Sequence, residues 1–257
     1  MKIVVLDDSK TVLLTIHALL EELGVPDKSI SLFSDGYKAL EYIEEHGADI
    51  IFSDINMPGM DGFEFVGRLL ELSQRFVSTL FIVSADERCE DITHMKNIGA
   101  KRFLRKPINA KHFNHFVTQE IAKATNRNPL SSILPEEKNS EEVSVASQFG
   151  TIDYEELAHK IGIKVKHIPL LVESFLSEAK ELSEKLHALR GTKKYAEIEQ
   201  CAHSLKGSSG NMQFMELYEM ARAMERASQY HNEVFDYAGC CTLIGEEIVS
   251  LSKRLVQ

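Results

Sequence analysis

Four short apolar runs in the first half of the chain give way to polar residues. Asp7 and Asp8 follow IVVL, Asp54 with Asn56 follows DIIFS, Ser84 follows TLFIV, and Lys106, itself followed by Pro107, comes just after KRFL. If the runs are strands of one parallel sheet, these side chains converge at one end of it. Acids held a few ångströms apart in a poorly solvated crevice repel strongly, and a divalent cation relieves that repulsion. Three carboxylates and a main-chain carbonyl are hard oxygen ligands. They suit an octahedral Mg²⁺, which keeps several waters and takes an oxygen from a phosphoryl group. Lys106 and Ser84 then offer a charge and a hydroxyl to the remaining phosphoryl oxygens. A lone Asp after a strand is usually a turn or cap residue, so the joint occurrence carries the reading.

A second candidate lies in the other half. Around residues 193 to 211 the apolar stripe is Ile198, Cys201, Ala202, Leu205, Ser209 and Met212. At about 100° per residue, His203 points roughly 140° from its centre, which places the imidazole toward solvent. Gly207 and Gly210 follow on the same side, although glycine inside a helix costs about 1 kcal/mol relative to alanine. An exposed histidine beside a bare patch reads as a docking surface. Lys206 can supply positive charge to a phosphorylated imidazole, and Ser208 a hydroxyl. His112 and His115, three apart with no third ligand, read as surface residues rather than a metal pair.

The elements that must position these groups differ between the halves. Strands over 3 to 6, 29 to 33, 49 to 53, 79 to 83 and 101 to 104 alternate with helical patterns over 9 to 23, 36 to 46, 62 to 73, 87 to 97 and 109 to 124. Val12, Ile16, Leu19, Leu20 and Leu23 form one such apolar stripe. The alternation predicts an α/β fold with a parallel sheet covered on both faces, whose binding crevice lies beyond the strands' carboxyl ends. Residues 125 to 147 lose the period and mix Ser, Asn, Glu and two prolines, which is linker composition. The remainder reads as all-α, with helices at 153 to 161, 166 to 190, 193 to 211, 214 to 229 and 233 to 255. Long amphipathic helices with short connections imply an antiparallel bundle. The expected domains are 1–124 and 148–257.

Composition excludes several classes. With 257 residues, 44% hydrophobic and 26% charged, the chain is long enough for two ordinary domains that hold their cores without metal or disulfide. Cys89, Cys201, Cys240 and Cys241 include no CxxC pair, which fits a reducing, cytoplasmic setting. The net charge of −10, negative in each segment, argues against a nucleic-acid partner. MKIVVLDDSK is too short in apolar residues for a signal core or a membrane span.

VVLDDS, SDINMPGMDG, VSAD and FLRKP, each after a strand, together resemble the response-regulator receiver domain, a five-stranded doubly wound, flavodoxin-like fold. The resemblance covers residues 1 to 124. It implies that Asp54 accepts a phosphoryl group, that Asp8, Asp54 and the Asn56 carbonyl bind Mg²⁺, and that Asp7 acts through water. It further implies Lys106 on the phosphoryl oxygens, Ser84 as switch hydroxyl and Phe103 as switch aromatic. The run Met57, Pro58, Gly59, Asp61, Gly62 fits the family's turn after the nucleophile, where glycines permit positive φ. DIN departs from the DxD of aspartyl phosphatases, whose second acid protonates the leaving group, so turnover of outside phosphoesters is disfavoured.

AHSLKGSSGNM resembles the signature of the histidine phosphotransfer (HPt) domain, a four-helix bundle, here preceded by a short extra helix. By that resemblance His203 is the phosphorylated residue, Lys206 its charge partner, and Gly207 the small residue admitting a partner receiver. Gln213 stands where that family usually has glycine. ATP-binding motifs of a histidine kinase are lacking, so the phosphoryl group must come from a histidine kinase donor. The expected function is a phosphorelay intermediate whose His203 exchanges phosphoryl groups with its own or another protein's receiver. A phosphorylation-switched interaction regulator and a phosphate sink are the alternatives. A flexible 23-residue linker spans about 25 Å root-mean-square, so internal transfer is geometrically open. Oligomeric state is not fixed by these residues.

Overall fold

β-branched and aromatic runs, each followed by a helix, assemble in a computed structural model into the expected doubly wound sheet, which the bundle then abuts. Residues 1–60, 62–72, 79–84, 102–124 and 152–255 are described. The helix expected at 87 to 97, the linker, Cys89 and Asp61 lie outside them.

The first half contains β1 (Ile3–Leu6), α1 (Lys10–Glu22), β2 (Ile30–Phe33), α2 (Gly36–His46), β3 (Ile50–Asp54), α3 (Gly62–Leu72), β4 (Thr79–Ser84), β5 (Arg102–Arg105) and α4 (Ala110–Ala124). All strand pairs are parallel, in the order β2-β1-β3-β4-β5. Register places the polar residues in one row. Leu6 pairs with Ser53, Asp54 with Val83, and Ser84 with Arg105, so Asp7, Asp54, Ser84 and Lys106 leave the sheet at nearly one level. Side chains alternate across a strand, which sends Phe52 and Phe81 to one face, where they stack with each other and Phe52 stacks on Phe113 of α4. Ile51 and Ile82 pack with Phe65 and Val66 of α3 on the other.

Capping sets several helix starts. Ser9 accepts from the Val12 amide at the head of α1, and Asp35 from Tyr37 and Lys38 at α2. The second half holds α5 (Tyr154–Ile161), α6 (Ile168–Leu189), α7 (Tyr195–Asn211), α8 (Met215–Gln229) and α9 (Tyr237–Leu255). Here α6 packs on α7 and α9, and α8 on α7 and α9, a four-helix arrangement with the short α5 before it. The last helix starts at Tyr237 rather than 233, because Asp236 accepts from the Gly239 amide and acts as the cap. Cys201, Cys240 and Cys241 are free thiols.

The apolar cores of the two halves meet. One cluster of buried side chains runs from Ile3 and Phe52 through Val12 and Ile16 of α1 to Phe175, Leu205 and Ile244 of the bundle. The joint is α1, which packs on α6 and α7 as well as on the sheet. Its apolar stripe serves the sheet, while Thr11, Thr15 and Ala18, spaced by four and three, are buried on another side of the helix.

Candidate functional site

Burial, register and one lysine define the pocket at the strand ends. Asp7, Asp54 and Ser84 are fully buried and Lys106 nearly so. Lys106 Nζ lies 2.7 Å from both Asp54 Oδ2 and Asp7 Oδ2. It donates a hydrogen bond to Asp54 and is ion-paired with Asp7 Oδ2. The other Asp54 oxygen accepts from the Ile55 amide at 2.6 Å and the Asn56 amide at 3.4 Å, and Asp7 Oδ1 accepts from the Ser9 amide at 3.0 Å. Carboxylate oxygens of Asp7, Asp8 and Asp54 lie within 4.8 Å of one another.

Burial pushes the Asp7 carboxyl well above the usual range, with Asp54 and Asp8 adding to the rise and Lys106 opposing it. Asp8 is raised by burial and by Asp54. For Lys106 burial opposes the charge, but the Asp54, Asp7 and Asp8 carboxylates outweigh it and hold the ammonium protonated beyond the ordinary lysine range. One buried cation therefore faces three acids. That donor set and charge deficit fit a hard divalent cation.

Two glycines shape the turn for different reasons. Gly59 has φ +83°, as expected. Gly62 does not have positive φ; a Cβ there would meet the Asp54 carbonyl oxygen at 2.5 Å and Ile55 Cα at 2.6 Å. The head of α3 is thus pressed against the strand that carries Asp54. Ser84 ends β4, its carbonyl accepting from the Lys106 amide at 2.8 Å. Phe103 is half-buried against the α3 side of the sheet.

His203 lies on the face of α7 opposite its apolar stripe, yet it does not face solvent: its side chain is 12% exposed. Its neighbours on α7 contact the receiver half. Ser204 Oγ donates to Asp8 Oδ2 at 2.9 Å, and Asn211 Oδ1 accepts from the Ile108 amide at 2.8 Å. Gly207 and Gly210 lie against Lys106 and Pro107, whose side-chain atoms would stand 3.8 and 3.6 Å from an added Cβ. Side chains at the chain's own strand ends thus lie beside this patch. Ser208 does not reach the imidazole; its hydroxyl donates to the Ser204 and Leu205 carbonyls. His112 and His115 are exposed.

Glu225 on α8 is the functional residue that the sequence did not reveal. Its Oε1 lies 2.6 Å from His203 Nδ1, and both its oxygens accept from Lys206 Nζ, at 2.8 and 2.6 Å. Lys206 thus reaches the imidazole through Glu225. Burial raises the Glu225 carboxyl, but the His203 hydrogen bond and the Lys206 charge outweigh it and leave it below the usual range. An ionised carboxylate only accepts, so Nδ1 is the donor to it, and in the neutral imidazole the lone pair is on Nε2. Nε2 is buried and has no partner. Gln213 adopts φ +61°, the left-handed conformation that glycine takes without strain, and its amide donates to the Gly210 carbonyl.

A parallel sheet with a buried Asp–Lys crevice, followed by a helical bundle presenting one imidazole, defines a phosphoryl-handling signalling protein. Residues 3–118 match the response regulator receiver domain, and residues 170–249 match the Hpt domain. The chain is 32% identical over 108 residues to Protein PilG of Pseudomonas aeruginosa, covering 42% of this chain and 77% of that protein. It belongs to the response regulator receiver family, joined to an Hpt domain, and is a two-component phosphorelay protein. It is also 31% identical over 108 residues to Regulatory protein VanRc of Enterococcus gallinarum, covering 42% of this chain and 44% of that protein, less than half its length. Among solved structures, chemotaxis protein CheY4 of Vibrio cholerae is similar at 27% identity and TM-score 0.41, over 46% of this chain and 96% of that one. Among the described residues no helix is long and apolar enough to cross a membrane.

Proposed function

We propose that Asp54 is the phosphoacceptor, charged by the phosphohistidine of a histidine kinase, and that His203 is a second phosphoacceptor exchanging the group with a receiver. In the first transfer a phosphorus–oxygen bond forms to an Asp54 carboxylate oxygen as the donor's phosphorus–nitrogen bond breaks. Lys106, already on Asp54, offsets charge on the transferring group, so catalysis is mainly electrostatic positioning. Mg²⁺, held by Asp7, Asp8, Asp54 and the Asn56 carbonyl, supplies further charge neutralisation when bound. Ser84 holds another phosphoryl oxygen. The reading for His203 rests on one observation above all: Glu225 accepts a hydrogen bond from Nδ1, and Nε2 is left buried and unpartnered.

A phosphorylation switch acting through Ser84 and Phe103 is favoured by one contact, the Ile108–Asn211 hydrogen bond, because it ties the bundle to the segment that carries Lys106. The test is labelling by radiolabelled acetyl phosphate with Mg²⁺ of the wild type, Asp54→Ala and His203→Gln. Base-labile acyl phosphate that requires Asp54, and base-stable, acid-labile label that requires His203, are expected. Label that persists in both variants defeats the assignment.

A further inference from the structure

We infer that the partner of this receiver's docking surface is the bundle of the same chain, held by Glu178 of α6 as a latch, and that Asp54 and His203 exchange a phosphoryl group within one molecule. The inference rests on the proposed roles of those two residues.

The latch is a carboxylate from one half seated on a helix start of the other. Glu178 Oε2 accepts from Ser9 Oγ at 3.1 Å, the Thr11 amide at 3.1 Å and Thr11 Oγ1 at 2.9 Å. Free amides and a positive dipole end make that position receptive to a carboxylate. It lies directly after Asp7 and Asp8, so the latch and the acidic pocket share one loop. The partner oxygen, Glu178 Oε1, is buried with no donor, so the side chain gives up hydration for this contact.

Four further contacts hold the same pose. Glu22, at the far end of α1, meets Lys164 at 2.7 Å and His167 at 3.2 Å. Ser204 meets Asp8, and Asn211 meets Ile108, on either side of the pocket. Between the last two, Lys106 and Pro107 lie beside Gly207 and Gly210 of α7. The pose therefore brings the His203 face onto the crevice holding Asp54.

Transfer in this pose needs no further reactant. The Nε2 lone pair of His203 attacks phosphorus, and the bond from phosphorus to the Asp54 oxygen breaks, its electron pair returning to the carboxylate. The Nδ1 proton stays in place, and the positive phosphoimidazole is offset by Glu225. With the chain's own bundle seated at the strand ends, an outside bundle cannot seat on the same contacts, so charging from outside at those contacts and internal exchange are exclusive states. A cleft of about 610 Å³ beside this seam is lined by Asp8, Ser34, Pro58, Glu178, Lys185 and Ser204 among others.

The full-length chain is labelled with acetyl phosphate and Mg²⁺, freed of donor, and followed over a hundredfold range of protein concentration. Label moving from Asp54 to His203 with a concentration-independent rate constant is expected, as is negligible transfer between mixed Asp54→Ala and His203→Gln chains. Glu178→Ala should slow internal transfer at least tenfold while Asp54 still takes up label, and Glu178→Gln less, since its carbonyl can still accept. Hydrogen exchange at the Thr11 amide, faster in Glu178→Ala, reports the latch apart from chemistry. Second-order transfer, efficient transfer between the mixed chains, or unchanged kinetics and exchange in Glu178→Ala overturns the inference while leaving the phosphoacceptors standing. A wild type that never labels Asp54, or never passes label to His203 from any receiver, refutes the underlying reading as well.

Discussion

Glu225→Gln tests how the imidazole is prepared. The carboxylate serves two donors, His203 Nδ1 at 2.6 Å and Lys206 Nζ at 2.6 and 2.8 Å. A glutamine of the same shape has one carbonyl oxygen, and its amide group repels whichever donor it faces. One charge-assisted bond is lost, worth about 1.5–3 kcal/mol, and Lys206, 7% exposed, keeps a charge without its counter-ion. At about 2 kcal/mol the bundle loses that much unfolding free energy. If the same loss falls on the phosphohistidine state, transfer to His203 slows about thirtyfold. Urea unfolding followed by circular dichroism and transfer kinetics give the two numbers, and ¹⁵N NMR of the imidazole reads the tautomer directly. The pH dependence has a definite sign. Glu225 is held below its ordinary range, so its stabilisation is present above that range and lost as pH falls through the lowered value. The wild type should therefore lose an increment of stability below about pH 4.5 that Glu225→Gln has already lost at neutrality. A variant that keeps the Nδ1–H tautomer, transfers within twofold of wild type and shows the same acid limb refutes the reasoning.

Other outcomes follow from the same contacts. Lys106→Ala leaves Asp7 and Asp54 buried without their cation, which should cost about 3–5 kcal/mol in chelator, with Mg²⁺ restoring part of it; equal stability with and without Mg²⁺ would count against the acidic pocket as a cation site. Gly62→Ala puts a methyl 2.5 Å from the Asp54 carbonyl oxygen, so thermal unfolding should show a loss of at least about 1–3 kcal/mol together with reduced labelling of Asp54. Gln213→Gly relieves the φ +61° backbone and should stabilise the bundle by about 1 kcal/mol in urea titration, with transfer to His203 unchanged.

Much of this was legible because strand ends in a parallel sheet are set by where apolar runs stop. Asp7, Asp54, Ser84 and Lys106 lie in one row because the register joins runs whose ends the sequence marks. The direction of His203 relative to its helix's stripe was legible too. Its exposure was not, since nothing local to α7 reports that another part of the chain covers it. Glu225 and Glu178 were hidden for a related reason. Each is an acid on an amphipathic helix, indistinguishable from its solvated neighbours until tertiary packing brings it to a donor far away in sequence. Gly62 was assigned its place but the wrong cause, because close approach of two backbones leaves no mark beyond the glycine itself. Thr11, Thr15 and Ala18 did carry a signal: a second, small-residue face on a helix whose apolar face was already accounted for.

The α1 seam joins parts of one chain, so its closure is governed by tethering rather than by ordinary affinity. Two units joined by a short flexible linker meet, as a general matter, at an effective concentration of the order of millimolar. A seam with an intrinsic Kd of about 100 μM, too weak to hold two separate proteins together at cellular levels, would then be closed about nine-tenths of the time. An outside bundle of equal intrinsic affinity at about 10 μM would win only about one encounter in a hundred against it. Modest contacts such as Glu178 on Thr11 therefore suffice to insulate the relay from foreign donors, and a cognate kinase must outbind the resident bundle or meet the receiver during its brief openings.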